Sequence, residues 1–362
     1  MSRKRIAILY RENKECASVA MYLENIIHSL NTLDDFKKPV IYIYSLCKKS
    51  FIRLSSSTKY PYLKYGFLYN VFIKINFPLF TNKLSFIYPT PWKRIFFKNK
   101  KDLNWIPDFQ DKYLPEYFTE EELSNRDAAV KKNISFETPI VFSSEDSKND
   151  FEKFYPQNNN KKFILHFAVT HPDFSQIKIE NLRNKFKFQG NYYFCANQFW
   201  QHKNHKILFN AMKILKEKGE NPVLLCSGST KDYRNPEYFS TLEKFIAENN
   251  LQENIKILGF IDRAEQLCLM KNSIAVIQPS LFEGWNTTVE DCKALGKFIF
   301  LSDLNVHFEQ IKENVCFFNK SSAEDLADKL QNVKIKEISI NYNDNIKQFG
   351  EDFYRIIEEI GK

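Results

Sequence analysis

The stretch "SLFEGWNTTVEDCKALGK" (280–297) sets a carboxylate, Glu283, before a glycine and a tryptophan. Three small polar residues come next, then two more acids, Glu290 and Asp291. Upstream, "NSIAVIQP" is an apolar, β-branched run that predicts a buried strand, and downstream "TVEDCKALG" predicts a short helix closed by Gly296. A helix start offers free N–H groups and about half a positive charge, which suits a phosphate. Gly284 lets the backbone approach a ligand closely, and Asn286, Thr287 or Thr288 can cap the helix. A diphosphate at this helix start leaves Glu283 beside whatever the diphosphate carries. Asp291, further along the helix, is placed for hydroxyls at the ligand's other end. Two carboxylates with a phosphate site between them match a nucleotide sugar. A capped helix with solvated acids is the competing reading.

Such a junction needs a sheet behind it. The first 45 residues read as strand (Ile6–Tyr10), helix (about Ala20–Leu33) and strand ("PVIYIYS"), with the near-continuous apolar strands of a covered parallel sheet. A helix from about Glu120 to Asn133, the strand "TPIVFSS" and the helix "SEDSKNDFEKFYP" come after it. "NWIPDFQDKYLPEYF" reads as a loop presenting side chains to a cleft. From residue 192 strands and helices alternate: "YYFCAN", "PVLLCSG", "IKILGF", "IAVIQPS" and "FIFLSD" are the strands, and "NDNIKQFGEDFYRIIEEI" is a last helix. This predicts an α/β protein of two Rossmann-like, doubly wound domains facing across a cleft, with ligands beyond the carboxyl ends of the strands. We set the domains at 1–185 and 186–340, with 341–362 as a C-terminal helix.

The 362 residues fit two cores and hold no apolar run long enough to span a membrane. Seven cysteines, scattered and without a CxxC pair, point to a reduced, cytoplasmic protein with neither disulfides nor structural zinc. Net charge is +8, but residues 1–110 hold 19 Lys+Arg against 7 Asp+Glu, so the excess belongs to the front of the chain. There, residues 59–101 interleave lysines with aromatics. An anionic membrane surface is the sharper reading of that stretch and an aromatic core with a basic rim the plainer one. No zinc finger or RNP strand marks a nucleic-acid partner.

The 283–291 segment resembles the donor-site motif of retaining GT-B glycosyltransferases of family 4, E-G-x-G-x-x-x-x-E. The first Glu falls on Glu283, the Gly on Gly284 and the second acid on Asp291, which keeps the charge on a shorter arm. "NWIPDFQDKYLPEYF", "VFSSEDSKNDFEKFYP", "ANQFWQHKNHKILFNAM" and "LGFIDRAEQLCLMKNSIAVIQPSLFEGW" are similar to segments of bacterial family 4 enzymes that build surface polysaccharides. The resemblance implies the GT-B fold, with the last helix returning to the N-terminal domain. It also implies transfer from a nucleotide-diphosphate sugar to a saccharide or polyprenyl-linked acceptor, without cofactor or metal. The enzyme would be cytoplasmic or peripheral on the inner membrane face.

By the same resemblance, Glu283 and Lys203 are catalytic. Asn197, Gln198, Gly284, Trp285, Asn286, Thr287 and Asp291 bind the donor, and Asp108 and Asp111 are acceptor-side candidates. The family's R-x-x-x-x-K pair meets this chain as Gln198 and Lys203. Ser18 and Val19 stand where a glycine pair is usual, and Asp111 where relatives commonly carry histidine. These departures motivate a second reading, an inactive protein of the same fold that binds an active transferase. A third, a nucleotide-sugar 2-epimerase, needs acid–base groups that the sequence does not place.

Overall fold

The computed structural model describes residues 3–10, 17–45, 47–66, 84–89 and 102–360. In chain order the elements are β1 (Arg5–Leu9), α1 (Ala17–Asn31), β2 (Val40–Tyr44), α2 (Lys48–Thr58), β3 (Leu63–Tyr65), β4 (Phe86–Tyr88), β5 (Asn104–Ile106) and α3 (Gln110–Tyr113). Next come α4 (Glu120–Ser135), β6 (Ile140–Phe142), α5 (Glu145–Phe154), β7 (Lys162–Ile164), α6 (Ile179–Phe186), β8 (Tyr193–Ala196), α7 (His205–Glu217), β9 (Leu224–Ser227) and α8 (Tyr238–Glu248). The rest are β10 (Ile255–Gly259), α9 (Arg263–Asn272), β11 (Val276–Gln278), α10 (Thr287–Leu295), β12 (Ile299–Ser302), α11 (Asn305–Gln310), β13 (Val315–Phe318), α12 (Ala323–Asn332) and α13 (Asn343–Ile360). They fall into two compact units. Residues up to Phe109, Glu120–Thr170 and Asn341 onwards form the first; Gln110–Thr119 and His171–Ile340 form the second.

In the first unit a parallel sheet runs β3-β2-β1-β4, and a bridge between Ile87 and Asp102 leads on to the parallel sheet β5-β6-β7. Ile6, Ile8, Ile41 and Ile43 are fully buried, as strands covered on both faces require. The C-terminal helix α13 packs along α1, places Phe353 against Phe86 and Tyr88, and pairs Glu351 with Lys37 at 2.8 Å.

The second unit carries a six-stranded, all-parallel sheet in the order β10-β9-β8-β11-β12-β13. Numbered within the unit this is 3-2-1-4-5-6, the doubly wound dinucleotide-fold order. Side-chain alternation along the strands divides two cores. Cys195, Cys226, Ile277 and Phe300 face one side, and Phe194, Leu225, Val276, Ile299 and Leu301 the other.

Three features differ from the sequence reading. The division at 185/186 cuts α6, whose Leu182 packs with Phe188 and Tyr192 in the second unit's core, so that helix belongs wholly to the second unit. The alternation does not stop at "FIFLSD": "VCFF" adds β13 and closes the sheet's edge. "PDFQD" ends in the short helix α3, and residues 110–119 join the second unit despite lying between elements of the first.

Candidate functional site

The strand order of the second unit reverses between β8 and β11, and two loops leave their carboxyl ends there. The loop after β8 runs through Asn197 and Gln198 into a tight turn at Gln201–Lys203. Asn204 takes the left-handed conformation (φ 57°) that Asn tolerates, and its side-chain amide donates to the carbonyls of Pro279 at 3.1 Å and Lys320 at 3.0 Å. The Leu281 N–H donates to the His202 carbonyl at 2.8 Å, stitching the loop to the one after β11. From the other side Gly228, at the end of β9 with φ +155°, presses against the same loop. A Cβ there would sit 2.0 Å from the Asn197 carbonyl oxygen.

This stitching brings Lys203 to Glu283. Lys203 Nζ donates to Glu283 Oε1 at 2.6 Å, the Ser280 hydroxyl donates to the same oxygen at 2.7 Å and Gln278 Nε2 at 3.1 Å. Burial pushes the Glu283 carboxyl up, but the Lys203 charge and these donors outweigh it and hold it below its ordinary value. The pair is an ionised carboxylate against an ammonium. His202, beside it, is pushed down to about 3 by burial and by the charge of Lys203, so it is a neutral group near pH 7. His205 is fully buried and stacks on Phe199 at 4.2 Å. His202 therefore does not supply a cation where Gln198 stands. Gln198 is half-buried, and its carbonyl accepts from the Trp200 N–H at 2.8 Å.

Asn286 caps α10, its side chain accepting from the Val289 N–H at 3.2 Å, and Gly296 closes the helix in the left-handed region. Gln310, which the sequence reading passed over, locks the cap. It accepts from the Asn286 N–H at 3.1 Å and donates to the Asn286 carbonyl at 2.8 Å and to Glu290 Oε1 at 2.9 Å. Glu290 is also bound by Lys293 at 2.9 Å and is 1% exposed, so it acts as an internal brace. Gly284 and Asn286 are buried, Trp285 is half-buried and Thr287 begins the helix.

Asp291 is 1% exposed and faces two partners that the sequence reading missed. His171 Nε2 lies 2.9 Å from Oδ1, and Arg263 Nη2 donates to the same oxygen. Burial raises this carboxyl, and the Arg263 charge with the two hydrogen bonds brings it below its ordinary value. No sequence signal joins residues 171, 263 and 291, which meet only through the topology of the sheet.

Other expected positions are less telling. Asn197 is buried and donates to Cys195 Sγ at 3.6 Å. Asp108 accepts from Arg126 at 3.3 Å in the first unit, whereas Asp111 is buried in α3 of the second, so the two acids do not share a unit. Ser18 and Val19 lie in the first turn of α1, in the first unit. Of the basic, aromatic stretch 59–101, residues 67–83 and 90–101 lie outside the described residues. Among the described residues no group of three or more His, Cys, Asp or Glu is arranged to hold a metal ion. No helix among them is long and apolar enough to cross a membrane.

Residues 178–352 match the family model described as Glycosyl transferases group 1. Over these residues the chain is similar to the group 1 glycosyl transferases. Among characterised proteins, the O-antigen chain mannosyltransferase RfbU of Salmonella typhimurium is 19% identical over 257 residues, 71% of this chain and 67% of RfbU. Among solved structures, Anabaena Alr3699/HepE in complex with UDP-glucose superposes with a TM-score of 0.65 at 15% identity, covering 98% of this chain and 94% of that one. WaaG, a glycosyltransferase involved in lipopolysaccharide biosynthesis, gives 0.64 at 12% identity and covers 98% of each chain. The group 1 fold, GT-B, is thus the fold of this chain.

Proposed function

We propose that this protein is a group 1 glycosyltransferase that moves a sugar, with retention of configuration, from a nucleoside-diphosphate sugar to a saccharide or lipid-linked acceptor in surface-polysaccharide assembly. The observation that carries the reading is the Lys203–Glu283 pair on the two loops at the switch point, directly before the capped start of α10. The UDP-glucose held by the HepE neighbour and the O-antigen work named for RfbU support it.

In the proposed reaction the bond between the sugar's anomeric carbon and the diphosphate oxygen breaks, and its electron pair stays on that oxygen. A bond forms to the acceptor hydroxyl oxygen on the same face of the sugar, and its proton passes to the departing diphosphate oxygen. Lys203 and the N–H groups at the start of α10 stabilise the charge that grows on the diphosphate. Glu283 accepts hydrogen bonds from donor-sugar hydroxyls and offsets positive charge on the sugar ring, and Asp291 takes the ribose. The transfer is proposed to need no metal, so EDTA leaves the rate unchanged. We place the enzyme on the cytoplasmic side, with residues 59–101 meeting an anionic membrane surface. Sedimentation with anionic liposomes tests that contact, and absence of salt-sensitive binding removes it.

The deciding experiment is a thermal-shift screen against UDP, GDP, ADP and CDP. A ligand at about 100 times its Kd stabilises the folded protein by about 2.7 kcal/mol. One nucleotide is expected to raise Tm, and Lys203→Ala to abolish the shift. Silence with every nucleotide overturns the reading in favour of an inactive binding partner of the same fold.

A further inference from the structure

Asp291 is engaged on one side only. Among the described residues, every hydrogen bond to its carboxylate ends on Oδ1, from His171 Nε2 at 2.9 Å and from Arg263 Nη2. Each partner is itself held. Arg263 Nη1 donates to Gln266 Oε1 at 2.7 Å, and Gln266 Nε2 donates to the Ser227 hydroxyl at 3.3 Å, at the carboxyl end of β9. His171 packs edge-on against Phe174, with ring centroids 6.4 Å apart. The chain Ser227–Gln266–Arg263–Asp291–His171 therefore ties the end of β9, the start of α9 and the segment before α6 to one turn of α10.

A carboxylate buried to 1% is costly unless it is paired, and one cation on one oxygen already does that. Two donors converging on the same oxygen do more. They fix both torsions of a short side chain and direct the second oxygen, Oδ2, away from themselves. Aspartate ends one methylene earlier than the glutamate of the related motif, so a freely rotating Asp291 would lose both reach and direction. An acceptor clamped to within about 0.5 Å by its supporting hydrogen bonds is what binding sites need.

We infer that Arg263 and His171 are positioning residues: they hold Asp291 by Oδ1 so that Oδ2 accepts from the ribose hydroxyls of the nucleotide donor. This rests on the donor-site reading above and assigns to residues 171 and 263 a part in selecting a ribonucleotide. They act through Asp291 and need not touch the ligand.

The test uses the full chain and a pair of probes, whichever of UDP, GDP, ADP and CDP binds the parent and its 2′,3′-dideoxy analogue. Calorimetry gives both Kd values. The parent is expected to prefer the ribonucleotide by roughly tenfold to a hundredfold, the worth of a hydrogen bond to a charged group. Arg263→Lys, which keeps the charge but not the forked geometry, and His171→Gln are each expected to weaken ribonucleotide binding and leave dideoxynucleotide binding unchanged, shrinking that ratio several-fold. Asp291→Asn is expected to abolish the ratio, and adding Arg263→Lys to it changes nothing further. A merely structural role would lower both affinities together, or neither, and preserve the ratio. A preserved ratio in Arg263→Lys and His171→Gln, with the parent discriminating, overturns this inference alone. A parent that binds no nucleotide overturns the donor-site reading and this inference with it.

Discussion

Lys203 Nζ stands 2.6 Å from Glu283 Oε1, although the two residues are 80 positions apart and rise from different strands of one sheet. The contact depends on the Asn204 side chain, which ties the turn after β8 to Pro279, and on the Leu281 N–H, which holds the His202 carbonyl. Both side chains are mostly withdrawn from water, 20% and 10% exposed. At such burial, loss of one partner strands the other's charge.

Lys203→Met is therefore expected to destabilise the fold by about 3–5 kcal/mol, because Glu283 keeps only neutral donors. Lys203→Met combined with Glu283→Gln removes both charges and is expected to recover most of that loss. Urea unfolding with an unchanged m-value measures both. A single variant that costs less than about 1 kcal/mol would mean that the pair is wetter than its geometry indicates.

Gly228 supports the same loop from beneath. Alanine there would place a Cβ 2.0 Å from the Asn197 carbonyl oxygen, at a φ of +155° that L-residues rarely adopt. Neither atom belongs to a flexible side chain, so the loop carrying Lys203 must shift. Gly228→Ala is expected to cost at least about 2 kcal/mol from backbone strain and overpacking together. Its Tm should fall, and nucleotide binding should weaken beyond what the lost stability alone explains. A variant with the parent's Tm and nucleotide affinity would contradict that account.

The legible parts of this molecule are the ones with local physics. Helices marked by a cap, such as Arg263–Asn272 behind Asp262, or by a strong apolar stripe, such as Asn343–Ile360, can be read to the residue. The strand before the motif and the stop at Gly296 are equally plain, and the cap is narrowed to Asn286, Thr287 or Thr288, of which Asn286 serves, since each depends on neighbours in sequence. What was hidden depends on the order of strands. Gln310 completes the cap of a helix two elements earlier, and Arg263 and His171 converge on Asp291 from the start of α9 and from before α6. Nothing in their local sequence marks them: "DRAEQ" reads as an ordinary capped helix start, and His171 sits in an irregular segment. The strand "VCFF" was missed because four apolar residues without a periodic context do not separate a strand from a core-facing loop.

Acid sensitivity tests the buried histidines. Burial pushes His307 down to about 4, although its Nδ1 lies 2.8 Å from the Ser302 carbonyl, and burial with the nearby Lys203 pushes His202 down to about 3. In the unfolded chain both titrate near 6.5. Between those values the unfolded state binds more protons, so stability falls as pH drops through 6.5 and goes on falling until the folded groups titrate. Each histidine is expected to cost about 2 kcal/mol between pH 7 and pH 5. Glu283 and Asp291 act in a different window. Their folded carboxyls lie below the ordinary values of 4.5 and 3.8, so what they contribute is present above those values and lost only at lower pH. The slope between pH 7 and pH 5 thus reports the histidines. His307→Gln and His202→Gln, compared with the parent by urea unfolding at both pH values, should each remove about 2 kcal/mol of the acid loss, whatever they do to stability at pH 7. Unchanged slopes in both variants would show that these imidazoles take up protons inside the fold.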